Sequence, residues 1–321
     1  MTPEPPAEQG FALIAVLLVL ALLGVIGTEF AFSMRLEASM VRSYRDGIIA
    51  THLAEAGIQQ GIREILTQAP LVVFPDGEPL TFFRTALERL PRLPRDRVAL
   101  GSGHFSYRMT DEESRIDLNR APPDRVDHLL STLGLDKQVR DTIVDSLQDW
   151  QDSNEDHRLN GAESEDTYLR LPVPYRSRNA PLEDISELLQ IHGVTPEIYY
   201  GRDREPALRD YVTVHGSGRI NINTAPETVL RALGLSDAEV SEIVQSRGAA
   251  PYAVVPAKWT GRGLVTTTRT FRIEAEGLVA GEPRARVTAI VQIQAGASAD
   301  SEIVVLAWNL DTDAPAAVPV R

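Results

Sequence analysis

The chain has 321 residues, 43% hydrophobic and 24% charged, enough for one large domain or two ordinary ones with packed cores. Its net charge of −13 argues against a phosphate-backbone partner, which would draw a basic face. The absence of cysteine excludes disulfides, thiolate catalysis and the usual structural zinc sites, and six histidines without HExxH spacing offer no catalytic transition-metal centre.

The first element in chain order is apolar. Phe11 to Thr28 carry no charge, and 18 residues at ~1.5 Å rise span roughly 27 Å, sufficient for a hydrocarbon core. Residues 1–10 contain Glu4 and Glu8 but no Lys or Arg, and the apolar run exceeds the roughly 7–15 residues of a secretory h-region. Both features weigh against an ordinary signal peptide, although Ala31-Phe32-Ser33 has the small-x-small form of its cleavage site. Gly10-Phe11, at the mouth of the apolar run, resembles the type IV prepilin junction. That resemblance implies a leader over 1–10, cleavage after Gly10 by a prepilin peptidase, methylation of the new amine on Phe11, and an inner-membrane span over 11–33. Most pilins place a glutamate five residues after the cut to meet a neighbour's amine. Here that position is Ala15, and a carboxylate in a bilayer is retained only for a partner. Arg35, Arg42 and Arg45 follow the span, so charge bias alone would leave the bulk of the chain in the cytoplasm. The prepilin resemblance implies the periplasm instead.

Beyond Arg35 the helix turns amphipathic, with Val41, Tyr44, Ile48, Ile58, Ile62 and Ile65 at mostly helical spacing through about Gln68. Ala54-Glu55-Ala56-Gly57-Ile58 resembles the small-residue stretch on the first helix of pilin-like proteins. Alternation predicts strands over 104–110, 266–276, 285–294 and 302–308, on either side of a helical block.

That block contains a repeat. Arg115-Ile-Asp-Leu-Asn-Arg-Ala-Pro122 leads to Leu133-Gly-Leu135, and Arg219-Ile-Asn-Ile-Asn-Thr-Ala-Pro226 leads to Leu233-Gly-Leu235. Each copy reads as strand, helix, Leu-Gly-Leu turn, helix. In the second copy, Thr224 with Glu227 and Ser236 with Glu239 have capping-box spacing. Glu187 to Val194 is a third, partial copy. The copies resemble helix-hairpin-helix modules, which in membrane-anchored DNA-uptake receptors grip DNA. Their turns, Gly134-Leu-Asp136 and Gly234-Leu-Ser236, lack the Gly-x-Gly amide cradle, and Asp136 would repel a phosphate. A structural helical core is the reading preferred to nucleic-acid binding.

Nine acidic and two basic residues lie between Asp141 and Arg170. Asp152, Asn154, Asp156, Asn160 and Glu163 fall at positions 1, 3, 5, 9 and 12 of an EF-hand-like loop, with Asp149 and Asp166 flanking. His157 replaces the usual glycine at position 6, so the loop is a calcium candidate without the EF-hand fold. Uncompensated, so dense a run of like charge would repel itself into a solvated loop. Trp150, Tyr168 and Tyr175 argue for packing.

The sequence DWQDSNEDHRLNGAESEDTYLRLPVPYRSRN resembles the Asp-Trp-x-Asp, Gly-Ala-Glu and Pro-Tyr-Arg segments of the K minor pseudopilin family of type II secretion. The resemblance runs from Phe11 to the last strand. It implies an α+β fold: a long N-terminal transmembrane and amphipathic helix and a pilin-like antiparallel sheet, with a large inserted helical domain holding the repeats. The expected divisions are 34–110 for the helix and first strands, 111–255 for the inserted domain and 256–321 for the remaining sheet. The family also lacks the glutamate at the Ala15 position, binds calcium in this insert, and stands at the filament tip with the I and J minor pseudopilins. No enzymatic site is expected. A minor pilin of a type IV pilus is the nearest alternative.

Overall fold

The structure is a computed structural model that describes residues 9–66, 71–73, 80–202, 206–295 and 301–311. Its first element, α1 (Gln9–Ile65), is a single helix of 57 residues, about 85 Å long. Residues 13–45 are exposed on every side, and the helix packs against the core of the sheet from Ile49 onward. It is the one described helix long and apolar enough to cross a membrane.

Three short strands, β1 (Leu71–Val73), β2 (Thr81–Thr85) and β3 (Glu88–Arg89), form a small sheet of their own. β4 (Val98–Leu100) and β5 (Gly103–Asp111) begin the main sheet. The chain then leaves for the helical unit. Its elements are β6 (Ile116–Asp117), α2 (Pro123–Thr132), α3 (Lys137–Gln151), α4 (Pro196–Tyr200), β7 (Val212–Thr213), β8 (Ile220–Asn221), α5 (Glu227–Ala232), α6 (Asp237–Ala249) and β9 (Leu264–Val265). It returns through β10 (Thr270–Val279), β11 (Glu282–Ala295) and β12 (Ser301–Asp311), completing an antiparallel sheet in the order β12-β11-β10-β5-β4. The strands expected over 104–110, 285–294 and 302–308 lie inside β5, β11 and β12, whereas the one expected from 266 starts at Thr270.

α1 docks on this sheet through small residues. A Cβ on Gly57 would lie 2.8 Å from the Ala275 Cβ, and one on Gly61 would lie 2.9 Å from Ile273 Cγ2. From the sheet side, a Cβ on Gly277 would stand 1.8 Å from the Ala50 carbonyl oxygen. Only glycine admits so close an approach of helix and strand backbones. The core beneath joins Leu53, Ala54, Ile58 and Ile65 to Tyr107, Met109, Phe271, Ile273, Val287 and Val291.

The helical unit has a separate core, built around Leu129, Leu130, Ile143, Trp150, Tyr168, Leu230, Ile243 and Trp259. Because Trp259 belongs to this core and β9 pairs with β8, the unit continues past residue 255 to about Arg269. Its two halves repeat one plan. β6 pairs parallel with β7, and β8 pairs parallel with β9. Asp117 Oδ1 accepts from the Asn119 amide at 2.9 Å, and Asn221 Oδ1 accepts from the Asn223 amide at 3.0 Å. A helix follows each turn, ending on Leu133 or Leu233 and then on Gly134 (φ 84°) or Gly234 (φ 76°). The partial third copy is a 3-10 turn over Ile185–Gln190, Gly193 (φ 88°) and α4.

One expected cap is absent. Ser236 and Glu239 form the capping box of α6, but Thr224 does not cap α5. The Thr224 hydroxyl donates instead to buried Asp111 Oδ2 at 2.6 Å, a partner 113 positions away in sequence. Held by this buried carboxyl, the hydroxyl makes no bond to an amide at the start of α5.

Candidate functional site

Two regions hold the residues to which the sequence assigns a functional part: the start of α1 and the acidic loop after α3. Gly10 and Phe11 lie within α1, while residues 1–8 of the expected leader lie outside the described residues. Ala15 is exposed on the apolar part of the helix. That part presents only uncharged side chains from Leu13 to Thr28, so no carboxylate is available there to meet an amine.

The acidic loop begins where α3 ends. Trp150 is 2% exposed and makes an edge contact with Tyr168 (centroids 5.3 Å apart), which in turn stacks on Tyr175 at 5.3 Å. The Tyr175 hydroxyl donates to the Gln190 carbonyl at 2.7 Å, and Tyr168 accepts from the His192 amide at 3.2 Å. These rings pin the loop at its far side, so it is packed despite its charge.

Arg158 organises its near side. Its guanidinium bridges Asp149 Oδ1 at 2.5 Å and Asp152 Oδ2 at 2.7 Å, and its backbone amide donates to Asp149 Oδ2 at 3.1 Å. Both carboxylates raise the pKa of Arg158, Asp152 by hydrogen bonding first. Gly161 is obligatory here, since a Cβ would stand 1.8 Å from Asp149 Oδ2. Asp152 Oδ1 accepts from Asn154 Nδ2 at 2.7 Å, and Asn154 Oδ1 accepts from the Asp156 amide at 2.8 Å. Asn160 turns away to Asp145, donating through both its backbone amide and Nδ2, so the EF-hand-like register is not formed around a common centre.

Glu163 is 1% exposed. Its Oε2 accepts from the Ser177 hydroxyl at 2.8 Å, while Oε1 is buried without a hydrogen-bond partner. Burial pushes its carboxyl up, against the Ser177 bond and with help from Asp149, Glu155 and Asp152. Asp166 accepts from the Glu163 amide at 3.2 Å and lies 3.4 Å from His157 Nε2. Glu155 and Asn179, which the loop spacing does not single out, are linked through Glu155 Oε1 and Asn179 Nδ2 at 3.1 Å. Asn179 takes a left-handed backbone (φ 50°), and its Oδ1 is a second buried acceptor without a partner.

The fit to calcium is therefore divided. Hard oxygen donors and two orphaned acceptors suit the ion. Yet among the described residues no three acidic or histidine groups converge in ligating geometry, and Arg158 already pairs with both Asp149 and Asp152. Calcium at this loop would require the Arg158 guanidinium to swing out, which its 38% exposed side chain permits.

At the α6 turn, the Ser236 amide donates to Glu239 Oε2 at 2.8 Å and the Glu239 amide donates to the Ser236 hydroxyl at 3.4 Å. The Gly234 carbonyl is held by Arg262. A phosphate approaching this turn would meet Asp237 and Glu239 carboxylates.

Comparison with known proteins agrees with this architecture. Two family profiles, both described as Type II secretion system (T2SS), protein K, match residues 109–216 and 220–279, together more than half of the chain. Type II secretion system protein K of Pectobacterium carotovorum subsp. carotovorum is 32% identical over 145 residues, 43% of this chain and 42% of its own length. The proteins of the same description from Pseudomonas aeruginosa and Klebsiella pneumoniae are each 25% identical. They cover 75% and 78% of this chain and 73% and 78% of their own. The fold is shared with a chain of the GspK-GspI-GspJ complex from the enterotoxigenic Escherichia coli type 2 secretion system. That likeness has a TM-score of 0.60 at 18% identity and covers 86% of this chain and 99% of the other. A sheet carrying a long apolar helix, interrupted by a duplicated helical unit that these profiles match, places the chain in the type II secretion system protein K family, as a minor pseudopilin.

Proposed function

We propose that the chain is the subunit that begins a type II secretion pseudopilus and remains at its tip, joined there to the I and J minor pseudopilins. The observation that carries this is Ala15. A subunit lacking the carboxylate at that position cannot neutralise the terminal amine of a neighbour, so it needs no subunit beyond it. The complex of relatives named GspK, GspI and GspJ supports the choice of partners.

In this reading a prepilin peptidase cuts between Gly10 and Phe11. The exposed half of α1 anchors the protein in the inner membrane, and the sheet and helical unit stand in the periplasm. The protein performs no chemistry of its own. Calcium steadies the acidic loop, held by Asp149, Asp152 and Glu163 with Glu155 and Asn179; the unpartnered oxygens of Glu163 and Asn179, and the bond of Asn179 to Glu155, support that choice. Asn154, Asp156 and Asp166 serve at the rim through the turn they organise. The mass of the mature N-terminus tests the anchor: a chain starting at methylated Phe11 is expected, and one starting after Ser33 would overturn it. Tip placement is tested by Ala15→Glu, which should leave the chain folded but let it enter the filament at internal positions.

A further inference from the structure

The chain passes from the sheet into the helical unit through Asp111-Glu112-Glu113-Ser114 and reaches Asp117 three residues later. These four carboxylates are at most 6% exposed. They sit at the joint, for β5 ends at Asp111 opposite Phe271, and the returning chain passes Glu113 at Arg269.

Two of the four are well partnered. Asp111 Oδ2 accepts from Thr224 Oγ1 at 2.6 Å and Asn221 Nδ2 at 2.9 Å, and its Oδ1 accepts from the Glu113 amide at 2.8 Å. Glu112 Oε1 accepts from Arg115 at 2.8 Å and Arg272 at 2.7 Å, and Oε2 accepts from the Thr213 hydroxyl. Against its burial, those two guanidinium groups hold the Glu112 carboxyl down.

The other two are not so matched. Glu113 faces the Asp111 carboxylate and, among the described residues, its carboxyl is met by the Arg269 amide, at 3.3 Å, and the Ser217 hydroxyl, with the Arg269 charge a minor influence. Asp117 Oδ2 is buried with no hydrogen-bond partner. Arg120 Nε lies 3.4 Å away on a side chain that is 65% exposed and so is screened by solvent. At the equivalent position of the second copy stands Asn221, whose Nδ2 supplies a donor.

We propose that this joint is a proton-sensitive clasp, closed while Glu113 and Asp117 carry protons and loosened as they ionise. A protonated Asp117 presents a donor at Oδ2, as Asn221 does at Nδ2. Burial, then the neighbouring Asp111, push Glu113 up to about 7, and burial pushes Asp117 up to about 6. A carboxyl raised on folding stabilises the closed joint fully below its unfolded value, and that contribution is lost as pH rises through the folded one. His215 acts oppositely. Burial lowers its pKa against the pull of Glu112 and Asp184, with Arg272 lowering it further, so its contribution is lost as pH falls and bounds the acid side. Asp111, raised by burial, keeps its proton toward higher pH than a free aspartate.

Hydrogen exchange of the full chain in detergent micelles, corrected for the intrinsic pH dependence of exchange, reads the clasp directly. Between pH 6 and 8 the closing constant of segments 112–118 and 212–221 should fall about tenfold from Glu113 and about twofold more from Asp117. Glu113→Gln should remove the larger part and Asp117→Asn the smaller. Variants that reproduce the wild-type pH curve would overturn the proposal. Should Glu113→Gln fail to fold, carboxyl NMR titration of the wild-type chain decides, since a Glu113 carboxyl titrating in the ordinary glutamate range would also overturn it.

Discussion

The two copies of the strand–helix–turn–helix plan share a backbone and differ in what they bury beneath it. In each, one asparagine clamps three backbone groups. Asn119 Nδ2 donates to the carbonyls of Leu182 (2.9 Å) and Val214 (3.1 Å), and its Oδ1 accepts from the Leu182 amide at 2.8 Å. Asn223 does the same with Tyr252 and Thr266, at 3.0, 3.0 and 2.8 Å. The clamp closes a loop over each copy: 29 positions in the second, 63 in the first, where the acidic stretch is contained. The duplication thus tolerates a long, charged insertion because the asparagine, not the loop, fixes the return of the chain. Where the copies diverge, at Asp117 and Asn221, one has a buried carboxylate and the other a neutral amide.

The largest test of this comparison is to remove the clamps. Asn223→Ala removes a fully buried side chain and leaves three partly buried backbone groups unsatisfied, and should cost about 3–5 kcal/mol in denaturant unfolding. Asn119→Ala should cost less, because Asn119 is only partly buried. Equal losses would mean the copies are energetically interchangeable. Next, Asn221→Asp sets a second carboxylate against buried Asp111, 2.9 Å from the present Nδ2. A loss of about 3 kcal/mol is expected at pH 8, shrinking on acidification as one carboxyl takes a proton.

If calcium binds the acidic loop as proposed, it should sharpen the contrast by acting on the first copy alone. At a hundredfold excess over its dissociation constant it should stabilise by about 2.7 kcal/mol, seen as a higher melting temperature. Because burial raises the Glu163 pKa and calcium binds the ionised form, the effect should grow with pH. Asp152→Ala and Glu163→Ala should abolish most of it, and Glu183→Ala should not. A melting temperature indifferent to chelator and to millimolar calcium would leave the loop's carboxylates to their protein partners, Arg158 foremost. The smallest expected effect is symmetric. Gly134→Ala and Gly234→Ala each force an alanine into a left-handed conformation where no close steric contact intervenes, costing about 1 kcal/mol apiece.

The elements readable from the order of residues are those that rest on local periodicity or on identity between segments. The uncharged run from Phe11, the alternating strands β5, β11 and β12, and the duplicated motif are all legible, because each is written within a few consecutive residues. Trp150, Tyr168 and Tyr175 signal packing by their presence in a charged run, and they do pack. The acidic loop is legible only as composition. Counting an EF-hand register puts Asn160 among the ligands, yet it turns to Asp145, and passes over Glu155 and Asn179, whose roles depend on a chain reversal 24 positions long. Likewise Thr224 has the spacing of a cap, and nothing near it in sequence announces Asp111 as its partner. Such cases are settled by contacts between segments far apart in the chain. Local geometry reports what a side chain can reach within a turn, whereas the energy of a buried charge depends on which distant donors the fold brings within about 3 Å.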